Sequence, residues 1–328
     1  MKLVEQMLSG NTAALARLIS LVEDGSSEVS QIMKLIYPRT GKAYRIGLTG
    51  PPGLGKSTIV DKLTAVARGQ GLEVGIIAVD PTSPFSGGAL LGDRIRMQQH
   101  YLDEGVFIRS MATRGSLGGL PRTANEVINL IDASGKDIIY VETVGVGQSE
   151  LDIIKNVDTA IVVLAPESGD NIQTMKAGLL EIADIFVINK ADRPGADDLI
   201  SEMQAMLQLH SGRTRWEIPI VATEAINNKG IEELYRQIQL HREALNGMGM
   251  LDQRRKQQRR EQFINTLEKK ISTELLEIIR QDGQLNQYVG EVEKGEIDPY
   301  SAADEILNSK TFLTTLAQQL SQRKRPGG

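Results

Sequence analysis

No cysteine occurs among the 328 residues of this sequence. Disulfide bonds, thiolate metal sites and cysteine nucleophiles are therefore excluded. Histidine is scarce as well, because the sequence has only three, His100, His210 and His241, and they lie far apart. No apolar run approaches the length that crosses a membrane, and the first residues lack the apolar core of a signal peptide. We therefore expect a cytoplasmic protein that has no membrane partner.

The sequence also lacks the excess of basic residues that would suggest nucleic-acid binding. Its formal net charge is −5, so we expect no nucleic-acid partner. Hydrophobic residues make up 41% of the sequence and charged residues 24%, which is ordinary for a soluble globular protein. The length suffices for one large α/β domain with an appendage, or for two smaller domains.

The segment GPPGLGKST matches the phosphate-binding pattern G-x-x-x-x-G-K-[ST] without a gap. A short run that suits a buried strand precedes it, and apolar residues at helical spacing follow it. A strand, a glycine loop and a helix in this order surround phosphates with backbone N–H groups and a helix amino terminus. We expect Lys56 to reach the β- and γ-phosphates and the Ser57 hydroxyl to bind Mg²⁺. The expected nucleotide-binding residues here are Gly50, Pro51, Pro52, Gly53, Leu54, Gly55, Lys56, Ser57 and Thr58.

Strand-like and helix-like segments alternate from residue 43 to about residue 239. Most of the strand candidates are continuous apolar runs, as in parallel strands that helices cover on both faces. The pattern predicts an α/β P-loop domain with a mostly parallel sheet, which binds its ligands at the carboxyl ends of the strands. The predicted strands are Tyr44–Thr49, Glu73–Asp80, Val106–Arg109, Asp137–Glu142, Thr159–Ala165, Ile185–Asn189 and Ile218–Ala222.

Helical regions flank this domain, so the predicted division of the chain is 1–42, 43–246 and 247–328. The first region has amphipathic helical patterns but is too small to be a convincing independent domain. The last region begins with a long helix whose apolar stripe needs a partner, either the core or a second copy of the chain. Its basic segment from Arg254 to Arg260 is interpreted as a solvated face, because no aromatic residues are interleaved with the basic ones.

Carboxylates follow several predicted strands and could hold Mg²⁺. Asp80 ends the second strand, and Asp93 follows in a loop rich in glycine and serine. For either residue, a helix cap or a surface charge is the alternative interpretation. Glu142 ends the fourth strand, where a carboxylate can hold Mg²⁺ through water while the amide of Gly145 contacts the γ-phosphate.

The segment that follows Glu142 also bears on catalysis. ETVG is a form of the D-x-x-G element of GTPases, and Val146 occupies the position of the water-orienting glutamine in Ras-like proteins. We therefore expect slow intrinsic hydrolysis, or a role for another group such as Gln148. Arg109, Arg114 and Arg122 could meet phosphate or a partner, but a solvated loop is the favoured interpretation of each. The predicted catalytic residues are Lys56, Glu142, Gly145 and Gln148.

The segment NKAD ends a buried strand and predicts recognition of guanine. The carboxylate of Asp192 can accept hydrogen bonds from two N–H groups of guanine that adenine does not present together. Asn189 and Lys190 complete this motif. After the last strand, Glu224, Ala225 and Ile226 lie where a short loop would donate a backbone amide to guanine O6. Together the motifs predict a protein that binds GTP.

These motifs closely resemble the MeaB/ArgK family of P-loop GTPases, the G-protein chaperones of adenosylcobalamin-dependent acyl-CoA mutases. The resemblance runs over nearly the whole chain. It rests on GPPGLGKST, VDPTSPFSGGALLGDRIRM, FIRSMATRGSLGGL, ETVGVGQSE, GDNIQTMKAGLLEIAD and NKAD, in that order. It implies a SIMIBI-class fold and a homodimer formed largely through the C-terminal extension. It also implies that Mg²⁺ coordination involves Ser57, Asp80, Asp93 and Glu142.

The resemblance further implies a mutase as partner. The loop that contains Gln173 and Lys176 matches the third switch of the family, which faces the mutase and couples it to the nucleotide site. The chain departs from the family at TEAI, where relatives usually have a serine, as in TSAL. Glu224 therefore stands in the guanine loop in place of a serine.

The resemblance implies a GTPase that gates cofactor loading or protection of a cobalamin-dependent acyl-CoA mutase. Two other functions are alternatives. A kinase or ATPase that acts on a periplasmic amino-acid transport protein would need a general base for a protein hydroxyl, and no obvious one is present. A nickel-insertion GTPase needs histidine or cysteine to capture the metal, and the sequence has no cysteine and few histidines. The mutase-associated GTPase is therefore the leading interpretation.

Overall fold

A computed structural model describes residues 2–80, 97–112, 123–143, 156–166, 182–210, 216–309 and 312–314. The chain divides into two compact units, Met1–Lys256 and Gln257–Gly328. The two boundaries predicted from the sequence, after residues 42 and 246, both lie inside the first unit. The division into three parts therefore stays a prediction.

Seven strands form one parallel sheet in the first unit, in the order β3-β2-β4-β1-β5-β6-β7. The predicted α/β fold is confirmed, because this is a parallel sheet with β1 in the middle. Parallel strands of this kind place all their carboxyl ends at one edge of the sheet, called the carboxyl edge below. The strands are β1 Tyr44–Thr49, β2 Val74–Asp80, β3 Val106–Ala112, β4 Ile138–Glu142, β5 Thr159–Leu164, β6 Ile185–Asn189 and β7 Ile220–Thr223.

Ten α-helices lie in the described residues. Among them, none combines the length and the apolar character that a membrane crossing requires. The helices are α1 Lys2–Leu8, α2 Thr12–Glu23, α3 Val29–Ile36, α4 Lys56–Gly69, α5 Ala124–Ala133, α6 Ala196–His210, α7 Ile231–Gly247, α8 Met250–Gln281, α9 Gly283–Lys294 and α10 Pro299–Asn308.

Helices cover both faces of the sheet, which explains why its strands are continuous apolar runs. Successive residues of a strand point to opposite faces. Ile139 and Val141 of β4 pack in a buried cluster with residues of α2 and α5. Ile138 and Tyr140 of the same strand pack with residues of α4 and α7. Each such buried side chain contributes about 1.5–3 kcal/mol of hydrophobic stabilisation.

The amino-terminal helices belong to the core of the first unit. Ile19 of α2 and Ile32 of α3 are fully buried in the same cluster as Ile131 of α5. Arg109 of β3 forms an ion pair with Glu23 of α2. The interpretation of Arg109 as a solvated loop residue is therefore wrong, because the strand continues through it and its charge has a partner on α2.

The basic start of α8 is bound to acidic residues at the opposite edge of the sheet, where the strands begin. Arg255 donates from Nη2 to Asp158 Oδ2 at 2.7 Å and from Nε to Oδ1 at 3.0 Å. Arg254 donates from Nη1 to Asp184 Oδ2 at 2.9 Å and from Nη2 to Oδ1 at 3.1 Å. The arginine side chains are only 13% and 28% exposed, respectively. For Arg254 and Arg255 the interpretation as a solvated face is therefore wrong.

These ion pairs are part of a larger group, here called the amino-edge cluster. Asp158 also accepts a hydrogen bond from Arg45 Nη2 at 2.6 Å. Burial alone would raise the pKa of Asp158, but the hydrogen bonds and charges of Arg255 and Arg45 outweigh it and lower the pKa to about 2. The cluster therefore holds an ionised carboxylate inside the protein. It comprises Tyr44, Arg45, Asp158, Thr159, Asp184, Trp216, His241, Arg254 and Arg255.

The second unit has a small apolar core of its own. Ile278 near the end of α8 packs with Leu285, Ile306 and Phe312. The side chain of Asp298 accepts from the backbone N–H groups at the start of α10 and so caps this helix. Other large apolar side chains of this unit are exposed on the single chain, namely Phe263, Ile264, Leu267, Ile271, Leu276, Val289, Tyr300, Leu307 and Leu313.

Candidate functional site

The phosphate-binding motif forms the loop between β1 and α4 at the carboxyl edge of the sheet. Gly50 and Gly55 have φ angles of +133° and +87°, a backbone region that favours glycine. A Cβ atom on Gly50 would lie 2.1 Å from the backbone oxygen of Val163 in β5. The glycines are thus required by the path of the backbone. That path places the loop and the amino terminus of α4 in the middle of the carboxyl edge.

Lys56, the first residue of α4, is buried against this loop. Its Nζ atom donates to the backbone oxygen of Gly50 at 2.7 Å and to that of Pro51 at 2.9 Å. The side chain is therefore folded over the loop, with its ammonium group on backbone carbonyls. This is a suitable starting position for a lysine that binds phosphates in the same loop.

Ser57 and Glu142 place two buried side-chain oxygens next to each other. The Ser57 hydroxyl donates to Glu142 Oε1 at 2.7 Å. The contact forms because β1 and β4 are neighbours in register, with Leu48 opposite Glu142. Asp80 ends the next strand along the sheet, where Ala78 is paired with Glu142. The end of β2 therefore lies beside the end of β4.

Asn189 joins the P-loop to the loop that follows β7. Its Nδ2 atom donates to the backbone oxygen of Leu54 at 2.7 Å. Its Oδ1 atom accepts from Thr223 Oγ1 at 3.0 Å and from the Ala225 N–H at 3.1 Å. A Cβ atom on Gly55 would lie only 2.5 Å from Asn189 Nδ2. The motif glycine and the motif asparagine therefore fit against each other, although they are far apart in sequence.

The loops after β6 and β7 are also joined through their backbones. The Ala191 N–H donates to the backbone oxygen of Thr223 at 3.0 Å. Lys190 adopts φ of 58°, which turns the chain at this point. Asp192 follows and is exposed. Ile226, in the neighbouring loop, has an exposed fraction of 85%. The NKAD segment and the guanine loop therefore lie side by side at the carboxyl edge.

The structure thus brings most of the predicted site residues to one edge of the sheet, while their roles stay predictions. The side chain of Asp80 is not among those described. Asp93, Gly145, Gln148, Gln173 and Lys176 lie outside the described residues. The residues brought together are Gly50, Pro51, Pro52, Gly53, Leu54, Gly55, Lys56, Ser57, Thr58, Glu142, Asn189, Lys190, Asp192, Glu224, Ala225 and Ile226.

Three threonines connect the strand ends, and the motifs did not predict these contacts. Thr143 Oγ1 donates to Thr49 Oγ1 at 3.0 Å and so links the ends of β1 and β4. Thr223 makes the contact with Asn189 described above. All three threonines are nearly inaccessible to solvent. Their signal in the sequence is their place, because Thr49 adjoins the phosphate-binding motif while Thr143 and Thr223 belong to ETVG and TEAI.

The chain is similar to known proteins over most of its length. A family model described as "Methylmalonyl Co-A mutase-associated GTPase MeaB" matches residues 15–279. A protein of Pyrococcus abyssi (strain GE5 / Orsay) is 53% identical over 309 residues, which cover 93% of this chain and 95% of that protein. The Mus musculus protein "Methylmalonic aciduria type A homolog, mitochondrial" is 32% identical over 334 residues, which cover 94% of this chain and 79% of that protein.

Among solved structures, one titled "Crystal structure of LAO/AO transport system kinase" is similar over 98% of this chain and 97% of that chain. The TM-score is 0.66 and the sequence identity is 28%. The similarity therefore extends over both units of the chain. Because the family model covers most of the sequence and the site carries the motifs of a GTPase, the chain belongs to the MeaB family of methylmalonyl-CoA mutase-associated GTPases.

Proposed function

We propose that this GTPase gates the loading or protection of the cofactor of a cobalamin-dependent acyl-CoA mutase. The observation that supports the proposal is the contact of Asn189 with both the P-loop and the guanine loop, which joins the three motifs that we propose as one guanine-nucleotide site. The description of the family supports a mutase as partner. The nucleotide state would order or release the segments that contact the mutase.

The P-loop supplies the phosphate-binding groups. The residues Gly50 to Thr58 would surround the phosphates with backbone N–H groups. The ammonium group of Lys56, now on two backbone carbonyls, would transfer hydrogen bonds to the β- and γ-phosphates. Asp192 would accept from guanine N1–H and N2–H₂, and the loop of Glu224, Ala225 and Ile226 would enclose the other side of the base.

The oxygen ligands beside the P-loop fit a magnesium ion. The Ser57 hydroxyl and the Glu142 carboxylate are adjacent and buried, and Mg²⁺ prefers such oxygen ligands together with phosphate oxygens. We propose Ser57, Asp80, Asp93 and Glu142 as residues that hold the ion directly or through water. When bound, the ion would offset negative charge on the phosphates.

The hydrolytic step would depend on residues beyond the end of β4. We propose that Glu142 orients the ion ligands and that the Gly145 amide contacts the γ-phosphate. Val146 cannot orient a water molecule by hydrogen bonding, so Gln148 is the candidate for that role. With this set, the intrinsic rate would be slow and the mutase would raise it by completing the site.

The second unit supports the proposal of a homodimer. Ile264, Leu267 and Ile271 recur at spacings of three and four residues on α8. Phe263 lies four residues before Leu267, so all four side chains share one face of the helix. Their side chains are 65%, 40%, 46% and 44% exposed on the single chain. An apolar face of this kind is stabilised when a second copy covers it.

The coupling to the mutase would pass through the loop that contains Gln173 and Lys176. A coupling residue changes the difference in free energy between states, so it can alter activation by a partner without altering nucleotide affinity. Lys176→Ala should therefore keep the affinities for GTP and GDP and the slow basal rate. It should lose most of the acceleration by the mutase.

Single-turnover hydrolysis of GTP, with and without methylmalonyl-CoA mutase, tests the proposal. The mutase should accelerate the unmodified protein and the control variant Lys34→Ala, which changes an exposed lysine of α3, but should barely accelerate Lys176→Ala. Fast hydrolysis that the mutase leaves unchanged would contradict the proposed gating. A loss of GTP affinity in Lys176→Ala without the partner would instead identify Lys176 as a phosphate ligand.

A further inference from the structure

The loop between β7 and α7 is closed by contacts between its two ends. The Glu224 N–H donates to the Lys229 backbone oxygen at 3.1 Å, and the Lys229 N–H donates to the Glu224 backbone oxygen at 3.2 Å. Lys229 Nζ donates to Glu224 Oε1 at 3.0 Å. Asn227 Nδ2 donates to Glu224 Oε2, also at 3.0 Å. We refer to Glu224, Asn227 and Lys229 as the guanine-loop clasp.

The clasp lies directly beside the residues that would read the base. Ala225, within the loop that the clasp closes, donates its N–H to Asn189 Oδ1. Ala191 and Thr223 are hydrogen-bonded through their backbones. Asp192 follows Ala191 in the sequence, and Glu224 follows Thr223. Two carboxylates therefore occupy the same part of the site.

A second carboxylate at this place would oppose nucleotide binding unless it had a partner. Asp192 needs its negative charge to accept from two N–H groups of guanine. Another negative charge beside Asp192 would repel its carboxylate and could compete for the same donors. A glutamate carboxylate is ordinarily ionised at neutral pH, and hydrogen bonds from Asn227 and Lys229 lower the pKa of Glu224 further. The positive charge of Lys229 offsets this negative charge.

We propose that Glu224 and Lys229 are positioning residues that set the affinity of the site for guanine nucleotides. Lys229 engages the Glu224 carboxylate, and the two backbone hydrogen bonds between Glu224 and Lys229 hold the loop in the shape that presents the Ala225 amide. Glutamate at this position is compatible with guanine recognition because Lys229 accompanies it. Neither residue takes part in the hydrolytic step.

The affinity for GDP, measured by isothermal titration calorimetry, tests the clasp. Lys229→Ala should bind GDP about three- to fivefold more weakly, which is the upper part of the range of one exposed ion pair. Lys229→Arg should keep the affinity, because it keeps the charge. The double variant Glu224→Ser with Lys229→Ala should recover most of the affinity, because no carboxylate remains to be offset. In steady-state hydrolysis, Lys229→Ala should raise KM for GTP and leave kcat unchanged.

A matched control separates this effect from a general effect of surface charge. Lys294→Ala removes an exposed lysine at the end of α9 and should not change GDP binding. The proposal is wrong if Lys229→Ala binds GDP as tightly as the unmodified protein does. It is also wrong if the double variant binds as weakly as Lys229→Ala alone, because the Glu224 carboxylate would then not be the cause. Neither outcome depends on the mutase.

Discussion

The two edges of the sheet both contain buried polar side chains, but these have different kinds of partner. At the amino edge, the Asp158 carboxylate is paired with the guanidinium groups of Arg45 and Arg255. At the carboxyl edge, two of the contacts of the Lys56 ammonium group are hydrogen bonds to neutral backbone carbonyls. A phosphate is a stronger partner for an ammonium group than a carbonyl is. The carboxyl edge can therefore exchange contacts for a ligand, whereas the amino edge is satisfied within the protein.

This difference predicts that the amino edge contributes to stability and the carboxyl edge to nucleotide binding. Changes at the amino edge should lower the free energy of unfolding and leave nucleotide binding intact in the folded protein. Changes to the exposed residues that we propose to read the base at the carboxyl edge should do the reverse. A variant at one edge that shows the effect expected of the other would contradict the comparison.

Asp158→Ala should have the largest effect. Asp158 is fully buried, and its loss would leave Arg45 and Arg255 without the carboxylate that pairs with them. Breaking a buried ion pair on one side costs about 3–5 kcal/mol of unfolding free energy. Urea denaturation followed by fluorescence is a direct measurement, because Trp216, the only tryptophan, belongs to the amino-edge cluster.

The matched control for Asp158→Ala is Glu233→Ala. Glu233 pairs with Arg236 on the exposed surface of α7, where both side chains are about half exposed (45% and 59%). Such exposed pairs contribute little to stability, so the denaturation midpoint should not move measurably. Equal destabilisation by the two variants would show that burial of the ion pair is not what stabilises the amino edge.

Asp192→Asn should have the next largest effect, on affinity rather than stability. The amide offers one acceptor in place of the carboxylate, so the two hydrogen bonds to guanine cannot both form. We expect the affinity for GTP to fall about 100-fold, or ~3 kcal/mol, and the affinity for xanthosine triphosphate to rise. Titration with GTP, xanthosine triphosphate and ATP measures this.

The control for Asp192→Asn is Asp198→Asn, an exposed position in the first turn of α6. It should change neither nucleotide preference nor stability. Asp192→Asn itself should keep the unfolding free energy, because Asp192 is exposed. Equal binding of ATP and GTP by the unmodified protein would contradict the assignment of Asp192 to guanine.

Lowering the pH should reduce the free energy of unfolding for the same reason as Asp158→Ala, but by a smaller amount. The pKa of Asp158 is lowered from 3.8 to about 2 in the folded protein. The stabilisation is therefore present above about pH 4 and is lost as the pH falls through about 2, amounting to about 2 kcal/mol. Urea denaturation at several pH values should show the advantage of the unmodified protein over Asp158→Ala shrinking in this window. An advantage that persists unchanged at pH 2 would contradict the pairing.

The fold was predictable from the sequence because its signals are local. β1 and β6 have the predicted bounds, since each is an apolar run that ends at a motif. β3 is longer than predicted and extends to Ala112, because its last residues pair with Ala78–Asp80 of β2. The pattern of apolar residues in β3 alone does not indicate that its last residues pair with β2. Strand existence is a local property, whereas strand length depends on the neighbour.

The contacts of the charged residues were less predictable. The run of basic residues in α8 has the pattern of a solvated face, and only the fold brings Arg254 and Arg255 to Asp184 and Asp158. A sequence signal existed, because each aspartate immediately precedes a buried strand. The same limit applies to Glu224, which departs from the family pattern. Its contact with Lys229 is evident only from the folded conformation of the loop.

The contacts of Asn189 have a consequence for the thermodynamics of binding. One amide group fixes the distance between the P-loop and the guanine loop before any nucleotide arrives. The entropy lost in ordering these two loops is then part of folding and does not weaken the binding of the nucleotide. The phosphates and the base of a nucleotide can then bind to two loops that are already held in a fixed relative position. A ligand that carries only the phosphates or only the base would therefore bind to a site in which both loops are already ordered.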